Sequence, residues 1–298
     1  MPRRLTVITG CLATLLLVAF VPLQLDANHS WSGFHWNGDV LPVDVIVGDN
    51  TTTPEWHSRF DQALLDWNTP ISGAASIHLI EGIGLSDPAT CSPNIGRIEV
   101  CNWTYGDNGW LGLAQVWVYR GKDKHIAQAT TLLNDTYFSQ AGYNTWAWRQ
   151  LVMCQEIAHD FGLDHQDEAF DNYNLGTCMD YTSAPEGGWF DGFDYGPSNT
   201  APNQHDFDQI AETYAHISGG GGGGGGKPGG GGGGGGGRRG GAAQAGGFPE
   251  LPDQALPRVG IDSPAQWGRL IRDNGRSALY ELELGNNVVV FTFVTWAS

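Results

Sequence analysis

An α+β fold is predicted by three features of the chain. Between residues 31 and 217, some segments alternate apolar and polar residues and are bounded by turn formers; others repeat apolar residues at helical spacing; and a glycine tract then closes the region off. Leu41-Pro42-Val43-Asp44-Val45-Ile46-Val47 alternates and stops at Gly48-Asp49-Asn50, so it reads as a strand. Residues 56–67 place Phe60, Leu64, Leu65 and Trp67 at helical spacing. Further strands are expected over 76–80, 97–102, 113–119 and 125–134. Asn144 or Thr145 can cap a helix over 146–161, which Gly162 would end. A last helix is expected over 204–217, with Phe207, Ile210, Ala211 and Tyr214 on one face.

The ends differ in character. Arg3 and Arg4 precede an apolar stretch from Leu5 to Leu23, so residues 1–27 are expected to be a signal peptide. Residues 28–217 form the expected folded domain, and 218–247 a Gly-rich linker without a core of its own. Residues 248–298 are expected to form a small β-hairpin module, with strands over 278–284 and 288–296 around Gly285-Asn286-Asn287 and an earlier turn at Asn274-Gly275. Whether this module packs on the domain or serves another partner is open at this level.

The formal net charge is −17, and residues 28–217 carry 25 acidic against 6 basic side chains. Such a surface repels nucleic-acid phosphates, so no nucleic-acid partner is expected; it would attract metal cations or basic substrates, or serve only as a solvated acidic surface. Once the signal is removed, no stable membrane association is expected. Cys91, Cys101, Cys154 and Cys178 then remain, and in an exported protein they suggest two disulfides. Of three pairings, Cys91–Cys101 and Cys154–Cys178 are favoured.

The chemistry is concentrated in Gln155-Glu156-Ile157-Ala158-His159-Asp160-Phe161-Gly162-Leu163-Asp164-His165. A hydrolytic zinc site needs two ligands one helical turn apart and a carboxylate beside the first to take a proton from water. Positions 155 and 159 supply that spacing, and Glu156 supplies the carboxylate. Gly162 permits a sharp turn with positive φ, which would bring His165 back as a third ligand. Gly176-Thr177-Cys178-Met179-Asp180-Tyr181 follows downstream.

Together these segments resemble the metzincin zinc metallopeptidases, with matrixin-like and pappalysin-like features. The extended motif matches H-E-x-x-H-x-x-G-x-x-H except that Gln155 stands at the first ligand position. The resemblance covers residues 31–217. It implies a mixed twisted sheet, an active-site helix, a Met-turn at Met179 and a closing C-terminal helix. It also implies secretion and zinc held by Gln155, His159 and His165, with Glu156 as general base and Tyr181 beside the metal or the oxyanion. The expected function is therefore a secreted zinc endopeptidase, with a protein or peptide substrate as its partner. The alternative is a non-catalytic binding protein on the same scaffold.

Gln155 leaves three states open: a weak carbonyl ligand, a shell completed by Tyr181 or water, or a site without metal. A Cys154–Cys178 bridge would tie the active-site helix to the Met-turn independently of metal. Asp160, Asp164, Asp167, Glu168 and Asp171 form either a solvated acidic loop or a structural calcium site. The remaining histidines are expected at the surface or satisfied in the core. Trp103, Trp110, Trp117, Trp146 and Trp148 are expected mainly in the core.

Overall fold

The computed structural model describes residues 29–122, 124–218 and 255–297. The expected signal peptide lies outside these residues, as does the expected linker apart from Ser218. In chain order the elements are β1 (His35–Trp36), β2 (Val43–Asn50), α1 (Pro54–Trp67), β3 (Ile77–Ile83), β4 (Arg97–Trp103), β5 (Trp110–Tyr119) and β6 (His125–Asn134). These are followed by α2 (Asp135–Phe138), α3 (Trp146–His159), β7 (Trp189–Phe190), β8 (Phe193–Asp194) and α4 (Gln204–Ser218). The C-terminal segment adds β9 (Arg269–Asp273), β10 (Ser277–Gly285) and β11 (Val288–Trp296). The fold is α+β, with a mixed sheet and four helices among the described residues.

The main sheet runs β3-β2-β4-β6-β5-β11-β10-β9, and the short β1 adds to β6. Strands β3, β2, β4 and β6 are parallel neighbours, whereas β5 lies antiparallel to both β6 and β11. The C-terminal segment is thus not a separate hairpin. It contributes three strands that continue the same sheet. Its turns follow local chemistry: Asn286 and Asn287 both take positive φ between β10 and β11, and Gly275 (φ 84°) turns β9 into β10.

Helix α1 begins at a Thr53 cap with Pro54 in its first turn, and it buries Trp56, Phe60, Ala63, Leu64 and Trp67. Leu65, expected with that set, is exposed. Helix α3 is capped by Thr145, whose side chain accepts from the Trp148 N–H. On α4, Phe207, Ile210 and Tyr214 are buried while Ala211 faces solvent. The apolar face shared by α1, α3 and the sheet includes Leu279, Val289, Phe291 and Phe293 from the C-terminal strands.

A second apolar cluster lies around Trp110, Leu113, Trp117 and Leu132, together with Val259, Ile261, Trp267, Tyr280 and Val290. The approach to β9 crosses this cluster, and the indoles of Trp110 and Trp117 donate to the carbonyls of Ile261 and Pro257. Trp110 and Trp117 are therefore core, as expected, but Trp103 and Trp146 are substantially exposed. Both favoured disulfides are formed: Cys91–Cys101 and Cys154–Cys178.

Candidate metal and catalytic site

Helix α3 places Gln155, Glu156 and His159 in full burial. Its last turn would leave carbonyls without helical partners. Three distant side chains take them. Trp31 donates its indole N–H to the His159 carbonyl, Trp36 to that of Asp160, and the Tyr214 hydroxyl to that of Phe161. One turn earlier, Trp67 donates to the Cys154 carbonyl. Trp31, Trp36 and Tyr214 were not legible as site-forming residues, because nothing local ties them to α3.

Gly162 turns the chain with φ 111°, and a side chain there would place its Cβ 2.3 Å from the Phe34 carbonyl oxygen. Both facts demand glycine. The chain then doubles back, and His165 returns to His159: their Nε2 atoms lie 3.0 Å apart. The Nδ1 of His159 is 2.8 Å from the Leu163 carbonyl oxygen, which makes Nδ1 the protonated nitrogen and leaves the Nε2 lone pair toward His165. Burial, and then the neighbouring His165, hold the His159 pKa well below its ordinary value, so the imidazole is neutral. The hydroxyl of Tyr181 is 2.8 Å from His165 Nε2, and its ring stacks on Phe170.

The segment after His165 is fastened to the 176–181 bend. Gln166 N–H donates to the Met179 carbonyl, and Tyr181 N–H to that of Asp167. Within the bend, Asn199 accepts from the backbone of Gly176 and Thr177 while Asp180 accepts from Leu175 N–H. Met179 is fully buried in the core with Cys154 and Ile157. The Cys154–Cys178 disulfide joins this bend to α3.

These donors fit a zinc ion. Two imidazole nitrogens bound to tetrahedral zinc at about 2.0–2.1 Å stand roughly 3.3 Å apart, close to the separation of His159 and His165. Gln155 lies one turn before His159, and among the described residues neither its carbonyl oxygen nor its amide nitrogen has a hydrogen-bond partner. An orphaned buried amide at that helical spacing fits the donor that a weak oxygen ligand would offer to the ion. The Tyr181 hydroxyl supplies a further oxygen.

Glu156 is held differently. Burial pushes its carboxyl up to about 8, although hydrogen bonds from the Thr295 hydroxyl and the Ala114 backbone oppose the shift. Its second oxygen, Oε2, is buried and has no hydrogen-bond partner among the described residues. Strand β5 passes directly over it: a Cβ on Gly112 would come within 2.5 Å of Glu156 Oε1.

The acidic stretch divides by role. Asp160 is buried and accepts from the Thr131 hydroxyl. Asp167 accepts from Ala169 N–H and Asn172, within its own loop. Asp164 and Glu168 flank His165, and the cation that they grip is a guanidinium. Arg272 of β9 donates two hydrogen bonds to Asp164, at 2.9 and 2.6 Å, and its Nε lies 2.8 Å from Glu168. Burial would raise the Asp164 pKa, but Arg272 and His165 outweigh it and hold the carboxyl at about 2.

The C-terminal strands therefore form part of the site, which sequence reasoning had not anticipated. Phe293 stacks flat on His159 at 4.1 Å between ring centroids, and Thr295 donates to Glu156 at 2.7 Å. Beside the sealed centre, a cavity of about 530 Å³ opens between Tyr143, Trp148, Pro185, Trp189, Phe190 and Arg276. No family model matches the chain, and no curated protein shows significant similarity to it.

Proposed function

We propose that the chain is a secreted zinc-dependent endopeptidase of the metzincin kind. The observation that carries this reading is the convergence of His159 Nε2 and His165 Nε2 at 3.0 Å, beside the buried Glu156 carboxyl and the Tyr181 hydroxyl. The two imidazoles would hold the metal, with Gln155 or Tyr181 completing the set. When bound, zinc supplies a Lewis acid that acidifies water and polarises a carbonyl.

The chain's own residues then divide the proton work. Glu156 would accept a proton from water in its ionised form, the minor fraction at neutral pH because burial raises its pKa to about 8, and return it to the leaving amine. Tyr181 stays protonated, because burial raises its pKa well above the ordinary value, so its hydroxyl is available to hydrogen-bond a developing oxyanion. Secretion is supported by the N-terminal apolar stretch and the two disulfides. No helix among the described residues is long and apolar enough to cross a membrane.

Two observations favour a second reading, a non-catalytic binding protein: Gln155 stands where imidazole would bind more tightly, and β11 lies across the site. Zinc content after dialysis separates the two. We expect close to one equivalent, and less than about a tenth of an equivalent would overturn the enzyme reading. In the zinc-loaded protein, Glu156→Gln is expected to abolish chelator-sensitive proteolysis.

A further inference from the structure

Resting on the peptidase reading, we propose that strand β11 is an internal pseudosubstrate: it occupies the edge and the face at which an extended peptide would meet the site, and the chain is latent until β11 is displaced. Four observations carry this. Strand β11 completes an unbroken antiparallel ladder with the outer edge of β5, pairing residues 288–295 with 112–119. An edge strand offers that ladder to any extended chain of suitable sequence. The side chains that β11 turns toward α3 land on the chemistry, with Phe293 over His159 and Thr295 on Glu156. With β11 in place, Gln155, Glu156 and His159 are fully inaccessible to solvent.

The fourth observation is charge. The acidic domain is bridged to the C-terminal segment by Arg272, whose guanidinium closes over Asp164 and Glu168 on either side of His165. Over residues 255–297 Arg258, Arg269, Arg272 and Arg276 balance Asp262, Asp273, Glu281 and Glu283, so Arg272 acts as a local clamp and not through a net charge of the segment. The segment is thus clamped to the domain by an ion pair that sits beside the site, while its strands extend the sheet. Its sequence also names the ligand class: an extended, uncharged stretch of β-branched and aromatic residues such as Val288-Val289-Val290-Phe291-Thr292-Phe293-Val294-Thr295-Trp296.

The test uses two variants of the full zinc-dialysed chain. Gln115 and Thr292 are register partners with touching side chains, and Thr292 lies one residue from Phe293, on the opposite face of β11. Gln115→Cys with Thr292→Cys provides an oxidisable lock, and Arg272→Glu weakens the docking by like-charge repulsion. The probes are hydrogen exchange, binding of a fluorescein-labelled peptide of residues 286–298, and cleavage of quenched fluorescent peptides. In Arg272→Glu, amides of β5 and β11 are expected to exchange at least about tenfold faster, relative to β4 and β6, than in the parent. The labelled peptide should bind that variant, and oxidising the lock introduced into the Arg272→Glu background should abolish binding and cleavage until mild reduction restores them.

Exchange of β11 only in step with β4 and β6 in every variant would overturn the proposal, because β11 would then be a permanent part of the fold. Cleavage indifferent to the lock would also overturn it while leaving the peptidase reading intact. Lock-sensitive peptide binding without cleavage would refute the peptidase, and the pseudosubstrate with it, and leave β11 as the displaceable occupant of a binding groove.

Discussion

The indole N–H of Trp36 donates to the carbonyl oxygen of Asp160 at 2.8 Å, joining residues 124 positions apart. With Trp31 and Tyr214 it satisfies the end of the helix that carries Glu156 and His159. Trp36→Phe keeps most of the ring but orphans a buried carbonyl. We expect a loss of about 1–3 kcal/mol in urea unfolding, together with weaker zinc binding as the turn to His165 loosens. Unchanged stability would show that water replaces the indole.

Gly162→Ala tests the turn itself. The φ of 111° and the approach of the Phe34 carbonyl both oppose a methyl group. The expected cost is at least about 2 kcal/mol, read as a lowered unfolding midpoint. Zinc content should fall with it, since His165 is displaced.

The Cys154–Cys178 bridge closes a loop with a sequence separation of 24. Replacing both cysteines with alanine is expected to cost about 3 kcal/mol by loop-closure arithmetic. Because the bridge joins α3 to the Met179 bend, zinc added back should protect the double variant from unfolding by more than it protects the parent. Equal protection would mean that the bridge stabilises the fold without positioning the site.

Gln155→His replaces a neutral amide with a better zinc donor at the buried position proposed as a ligand. Zinc affinity is expected to rise at least about tenfold, measured by competition with a chromophoric chelator. An unaltered affinity would mean that position 155 does not reach the metal.

Chelation provides a complementary measurement. Removing zinc should leave the secondary structure largely intact, because the disulfide and the carbonyl caps of α3 hold the helix without metal. Loss of the far-ultraviolet helix signal on chelation would contradict that view.

Local chemistry made much of this legible. The His159 and His165 spacing, the glycine between them and the strands of the domain follow from neighbours in sequence, and their periods survive folding. The Thr145 cap resolved a choice that spacing alone left open. Long-range relationships were not legible. Nothing near Arg272, Phe293 or Thr295 announces a partner more than 100 residues away. The burial of tryptophan was equally opaque. Trp103 closes β4 and Trp146 opens α3, where side chains project past the sheet and helix they belong to. Trp31 and Trp36 are buried from a segment with little regular structure.

The C-terminal strands also change which side of the sheet confronts other molecules. Strand β5, Trp110-Leu111-Gly112-Leu113-Ala114-Gln115-Val116-Trp117-Val118-Tyr119, bears no charge, and an unpaired edge of that composition invites self-association into aggregates. With β11 and β10 in place, the margin passes to β9, Arg269-Leu270-Ile271-Arg272-Asp273, a short strand with three charged residues among five. Such a margin discourages edge-to-edge stacking. Whatever uncovers β5 must therefore present a replacement strand promptly, or concentrated solutions of the opened protein will cloud.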